Sequence, residues 1–403
     1  MSPVKNLVAV LAMSLAAASV THAEGGFSYR LSGFGTLGYA ATDTNDVLLT
    51  NPNQIRGARE NGSILVDSRI GGQLDLNFNQ LLSATTQVVA KQDAKGDFRP
   101  QLEWAFLRYK MSDSTALRVG RLGFPAYLVS DYRYVGYANP WVRAPLEMYK
   151  LPPIDYFEGA DISWQHGLAD GYLTLQALVG HMSAPVVDTR SDSGRMKVNQ
   201  LTGGYITYEI GNLRVRGGLS SGLASQRVSG ADRLFAGLNQ AGLGDVADLF
   251  RVHDSRATFS SLSATYDANN ILLMGEYGQR SSNSRLLDGA YGWYGTFGYR
   301  FGKWMPYVTY AGYGKSNETG GYTIPTSNPQ LLQLSMGVDN LASGNSQHTT
   351  SLGVRVDVRD NVAIKAQVDH VLPSTKGGTF NGVATDYNGH SVNVFSVVAD
   401  FVF

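Results

Sequence analysis

Apolar and polar residues alternate along most of this chain, with a period of two. Between 63 and 79, Ile64, Val66, Ile70, Leu74, Leu76 and Phe78 share one face, while Asp67, Arg69, Gln73, Asp75 and Asn77 share the other. Alternation of that length exceeds an ordinary globular strand and suits a tilted strand crossing a bilayer. The pattern returns at 27–41, where Tyr29, Leu31, Leu37 and Tyr39 oppose Ser28, Arg30, Ser32 and Thr36. It returns again at 349–358, where Leu352, Val354, Val356 and Val358 oppose Ser351, Arg355 and Asp357. Read through the chain, it predicts sixteen strands: 27–41, 63–79, 82–92, 101–110, 115–121, 157–165, 171–181, 201–210, 212–220, 256–266, 270–280, 290–301, 303–313, 347–358, 362–371 and 391–403.

The connections between these strands sort into two kinds. Even-numbered strands are followed by short turns, at Gln80, Ser112 and Asp113, 167–170, Gly211, Ala268 and Asn269, Gly302, and Asp360 and Asn361. Odd-numbered strands are followed by long polar segments, among them 42–62, 122–156, 182–200, 221–255, 314–346 and 372–390. Short turns at one end and long loops at the other describe an all-β, antiparallel transmembrane barrel with periplasmic turns and external loops. A sheet in lipid must close, because no backbone group can be left unpaired there. At sixteen strands side chains no longer fill the interior, and a water-filled lumen remains.

One segment breaks the pattern. The stretch 121–158 holds Pro125, Pro140, Pro145, Pro152 and Pro153, so it is neither strand nor single helix. It also holds Phe124, Tyr127, Tyr132, Tyr134, Tyr137, Trp141, Tyr149, Tyr156 and Phe157, a density of aromatics foreign to disorder. It reads as an ordered loop lodged inside the barrel or across its mouth. A second segment, 231–253, has helical spacing through Leu234, Leu238, Val246, Leu249 and Phe250. That spacing fits a lid or subunit latch, or a short helix packing an external loop.

Composition narrows the picture. Lys5 followed by the apolar run 7–20 and the small residues of Thr21-His22-Ala23 reads as a cleaved signal peptide at 1–23, leaving a barrel domain at 24–403. No later apolar run reaches the length of a helical membrane span. There is no cysteine, hence neither a disulfide framework nor a thiolate metal site. The 33 basic residues balance the 33 acidic ones, giving no reason to expect nucleic acid as a partner. The inward faces carry Arg30, Arg69, Arg118, Arg214, Arg216, Arg300, Arg355 and Lys365 against Asp67, Asp75, Glu103, Asp161, Glu209, Glu276, Asp357 and Asp369. That balance leaves the choice between anions and cations open. Outward faces end in aromatics such as Tyr39, Trp164, Phe297 and Trp304, as interfacial girdles require. The histidines sit in no Ser/His/Asp or metal-ligand spacing, so neither catalysis nor a cofactor is expected.

The last strand places Phe395, Val397, Ala399, Phe401 and Phe403 on one face and ends in an aromatic. With the signal peptide, this resembles Gram-negative outer-membrane proteins, whose final strand is read by the barrel-insertion machinery. Sixteen strands with the long loop after strand five resemble the general porins, although the acidic Pro-Glu-Phe-Gly-Gly loop motif of enterobacterial porins is absent. The resemblance implies an outer-membrane, usually homotrimeric channel, set among lipid and lipopolysaccharide, for passive diffusion of small hydrophilic solutes. It also implies a third loop that folds inward and narrows the pore. The candidate constriction is then Asp131, Arg133, Tyr134, Tyr137, Arg143 and Glu147 on the loop, with Arg30, Arg69, Arg118 and Arg355 on the wall. Two alternatives stay open: a channel preferring small carboxylate or aromatic solutes, held by the loop tyrosines with Arg133 or Arg143, and a non-conducting adhesin-like barrel.

Overall fold

The computed structural model describes residues 20–24, 26–187 and 193–403. Sixteen antiparallel strands form its sheet: Phe27–Thr42 (β1), Arg69–Asn77 (β2), Leu82–Gln92 (β3), Phe98–Lys110 (β4), Thr115–Gly123 (β5), Tyr156–Leu168 (β6), Gly171–Val187 (β7), Ser193–Ile210 (β8), Leu213–Val228 (β9), Ser255–Ala268 (β10), Ile271–Ser282 (β11), Ala290–Tyr299 (β12), Trp304–Lys315 (β13), Asn345–Arg359 (β14), Val362–Pro373 (β15) and Val392–Val402 (β16). Each pairs with its neighbours in sequence, and β16 returns to β1 with Phe395 opposite Ala41 and Val402 opposite Phe34. The sheet is therefore a closed barrel without free edges. The expected signal segment lies outside the described residues up to residue 19; beyond it, Val20–Glu24 form a short strand beside the start of β1.

Burial along the strands is inverted relative to a soluble protein. On β15, Ile364, Val368 and Leu372 are 44%, 42% and 53% exposed, whereas Lys365 is 0% exposed between them. Gln367 and Asp369, on the same face as Lys365, are also buried. Apolar residues outward and polar residues inward is the arrangement of a barrel whose outer surface meets hydrocarbon. Among the described residues no helix is long and apolar enough to cross a membrane.

The seven connections after even strands are two to four residues long, and in the β10–β11 turn Asn269 and Asn270 take φ of 52° and 65°. That conformation matches the twist of a tight hairpin, and asparagine tolerates it. Four expected boundaries move furthest. The strand expected at 63–79 begins only at Arg69; Ser63 bridges to Ala40, and Leu65 to Asp67 form a turn that sends Val66 and Asp67 inward. The loop expected at 182–200 is mostly strand, since β7 and β8 stay paired out to Val187 and Ser193. Likewise β9 continues to Val228, into the loop expected from 221.

The helical stretch is two helices, Ser229–Gln240 (α1) and Gly244–Phe250 (α2), parted at Gly242 with φ 74°. They pack on a third helix that the periodicity did not indicate, Pro329–Ala342 (α3), through Phe235, Leu238, Phe250, Leu334 and Val338. The start of that helix was written in Asn328-Pro329, where the Asn328 side chain accepts from the Leu331 amide at 2.9 Å. The external helices thus form a small core of their own.

Candidate functional site

The largest apolar cluster lies inside the barrel. Leu122 at the end of β5 and Phe124, Tyr127, Trp141, Met148, Tyr149, Leu151 and Ile154 of the third loop pack on Met182, Tyr205, Phe259, Met274, Tyr294 and Tyr307 of the wall. Tyr149 stacks on Tyr127 at 4.5 Å between centroids, and Trp141 meets Tyr294 edge-on at 5.4 Å. The loop is folded inward, as its aromatics implied.

A loop without regular structure leaves carbonyls that a buried site must satisfy. Here wall cations do so. Lys365 Nζ donates to the Gly136 and Trp141 carbonyls at 2.7 and 3.1 Å, and Arg355 to those of Tyr137 and Asn139 at 2.6 and 3.2 Å. Arg69 reaches the Tyr134 carbonyl at 2.7 Å, Arg216 that of Pro125 at 3.0 Å, and Arg280 that of Leu151 at 2.6 Å. In the other direction, Glu276 accepts the Leu128 amide at 2.9 Å and Gln367 the Val142 amide at 3.2 Å. Gly136 itself lies against Asp400 and Thr36, where a Cβ would collide with both side chains.

Side chains complete the anchorage. Arg143 grips Asp67 through Nε at 3.0 Å and a terminal nitrogen at 2.6 Å, both groups almost wholly buried. Asp67 sits in the turn before β2 and not on the strand expected there. Trp141 Nε1 donates to Thr296 at 2.9 Å and Thr309 at 3.2 Å. Glu147 accepts from Gln347 at 2.5 Å and from Thr349, and burial raises its carboxyl above the ordinary range. Lys150 donates to the Thr379 carbonyl at 2.5 Å and to Thr50 at 3.3 Å, tying the third loop to the first and last external loops; burial lowers its pKa to about 7. The Tyr137 hydroxyl donates to the Asp360 carbonyl at 2.7 Å, in a short turn at the far end of the barrel.

Facing β3 and β4, the loop enters a charge cluster. Lys91 lies 2.8 Å from Glu103 and 3.4 Å from Asp155, with its ammonium 3.6 Å above the Tyr134 ring. Arg133 pairs with Asp155, and the Tyr134 hydroxyl donates to the same carboxylate. Burial alone would raise Asp155, but Arg133 and Lys91 outweigh it and hold it at about 2. A ring-bearing carboxylate seeking Tyr134 and Arg133 would have to displace Asp155.

Two charged cavities remain in the barrel, the first lined in part by this cluster. One, of about 340 Å³, lies on the long-loop side and is lined by Arg69, Lys91, Gln92, Arg121, Tyr134 and Asp155 among others. The other, of about 500 Å³, lies on the short-turn side and is lined by Arg30, Asp75, Arg108, Arg118, Asp131 and Arg216 among others. They share no lining residue.

The ten candidate residues therefore divide. Arg143, Glu147, Tyr137, Arg69 and Arg355 bind loop to wall, while Arg133 and Tyr134 sit in the charge cluster. Arg30, Arg118 and Asp131 face the turn-side cavity. Lys91 and Arg108 were missed. Lys91 shared the parity of Thr85 and Gln87 on its strand, a usable signal. Arg108 had none, because a bulge opposite Gln87 and Val88 shifts the alternation of β4. Among the described residues no cluster of three or more His, Asp or Glu could hold a metal.

The architecture has relatives among solved structures. A loop-deletion form of OmpT, an outer membrane protein of Vibrio cholerae, superposes with a TM-score of 0.55 at 11% identity, covering 94% of this chain and 100% of that one. In-vitro folded OmpT in a trimer form gives 0.54 at 11%, over 94% and 100%. The outer membrane channel DcaP of Acinetobacter baumannii gives 0.54 at 11%, over 94% and 99%. No protein-family model matches the chain, and no curated protein matches it in sequence. What is shared at such identity is the fold: a porin-like sixteen-stranded barrel.

Proposed function

We propose that this chain is a bacterial outer-membrane channel that passes small hydrophilic solutes by diffusion, its passage narrowed by the third loop. The observation that carries the reading is the uneven filling of the barrel. The loop is welded to the wall from β9 round to β16, with Arg69 of β2 and Lys91 of β3 as further ties, while charged cavities of about 340 and 500 Å³ remain beside β1 to β9. Water and ions fit such spaces, and an apolar outer surface fits lipid. The outer-membrane location draws support from the barrels named above. A homotrimer draws support from the trimer form of OmpT. Diffusion rather than catalysis is the reading, because every candidate loop residue but Asp131 has a structural partner.

The test is conductance in a planar bilayer. Stepwise openings are expected, and their absence with correctly folded protein would favour the adhesin-like reading. Deleting residues 131–143 should raise the unit conductance and admit larger solutes. Unchanged conductance would remove the third loop as the constriction. Mass measurement in mild detergent decides the trimer.

A further inference from the structure

We infer that the turn-side chamber gathers small anions and gives the channel a preference for them, an inference that rests on the channel reading above. Five guanidinium groups line this chamber: Arg30, Arg108, Arg118, Arg214 and Arg216. Three are answered by carboxylates. Arg30 meets Asp75 at 3.2 Å, Arg118 Nε meets Asp161 at 2.9 Å, and Arg214 meets Glu209 at 3.4 Å. The other two make no direct ion pair. Arg216 spends its donors on loop carbonyls and makes no direct ion pair, and the carboxylates that act on it electrostatically are Asp131 and Glu276. Arg108 is exposed to the chamber and makes no ion pair or hydrogen bond among the described residues. Opposite them stands Asp131 of the third loop, which makes no direct ion pair but acts electrostatically on Arg118 and Arg216.

With the carboxylates that pair its arginines counted in, the chamber sets five positive charges against four negative ones. Arg108 and Arg216 stand on the wall without an ion pair, and Asp131 stands on the loop without one. Low-dielectric walls focus such a field and raise the local concentration of the opposite ion. Ordinary dilute salt does not erase it, since the screening length is about 10 Å at 0.1 M and about 3 Å at 1 M. The ligand class is set by size and charge: halide, phosphate or a short carboxylate, held by monodentate or forked guanidinium contacts.

Reversal potentials in a potassium chloride gradient test this. A chloride-to-potassium permeability ratio above one is expected at 0.1 M, shrinking at 1 M. Arg108→Gln should lower the ratio about twofold, and Asp131→Asn should raise it by a similar factor. Both positions face the lumen, so neither substitution disturbs the barrel wall; heat-modified gel mobility checks folding. A conducting channel with a ratio of one or less overturns the anion inference and leaves the channel reading standing. A ratio above one that neither variant moves also overturns it, by removing the chamber as the cause. Failure to conduct at all strikes the channel reading instead.

Discussion

Two sides of the same lumen treat the same side chains in opposite ways. From β9 to β16, charged wall groups are consumed: Lys365, Arg355, Arg280 and Arg216 cap carbonyls of the third loop, and Glu276 takes one of its amides. Between β1 and β8, Arg69 and Lys91 also reach the loop, but Arg30, Arg118 and Arg108 face the open turn-side cavity. The lesson is that an inward arginine in a wide barrel is not a pore residue by virtue of pointing inward. A loop folded into the lumen brings unpaired backbone with it, and the wall supplies partners before any solute arrives.

The sharpest way to break this contrast between welded and open positions is to cut a buried ion pair of the third loop. Arg143→Ala leaves Asp67 buried without its partner, at an expected cost of about 3–5 kcal/mol. The unfolding midpoint in urea should fall accordingly, and channel recordings should become noisier as the loop loosens. Arg30→Ala, exposed across the lumen, should shift the midpoint little. Equal effects would erase the distinction between welded and open positions.

Acid probes the charge cluster where the two sides meet. Asp155 is held at about 2, below the ordinary carboxylate value of 3.8, so its ionised form stabilises the fold. That contribution is fully present above about pH 4 and is lost as pH falls through about 2. Its size is of order 2 kcal/mol, since each tenfold change in proton affinity corresponds to about 1.4 kcal/mol. Urea midpoints measured at pH 4 and pH 2 should fall more steeply for the parent chain than for Asp155→Asn. Parallel slopes would mean that Asp155 is not the group responsible.

The smallest expected effect lies at the foot of the loop. Tyr137→Phe removes one hydrogen bond, to the Asp360 carbonyl, worth about 1 kcal/mol or less. If conductance changes while the midpoint stays within that limit, Tyr137 belongs to the open side as well as the welded one.

Much of this architecture could be read without coordinates. Alternation over ten or more residues, as in Ser351, Arg355 and Asp357 against Leu352, Val354 and Val356, has one stable outcome in lipid: a closed strand barrel. Short turns carry local signals, such as the asparagines at 269 and 270. The proline and aromatic content of the third loop was enough to exclude a strand and to demand burial. All of these are near-neighbour properties, and the chain writes them directly.

Partnership is different. Arg143 with Asp67, Glu147 with Gln347 and Lys365 with the Gly136 carbonyl join residues far apart in sequence. A single bulge in β4 decided whether Arg108 faces lipid or water. Nothing in the order of residues separates an arginine that caps a carbonyl from one that waits for an anion. Both have the same parity and the same chemistry. Only the path of the third loop through the lumen, fixed by where its aromatics find a dry wall, assigns each its task.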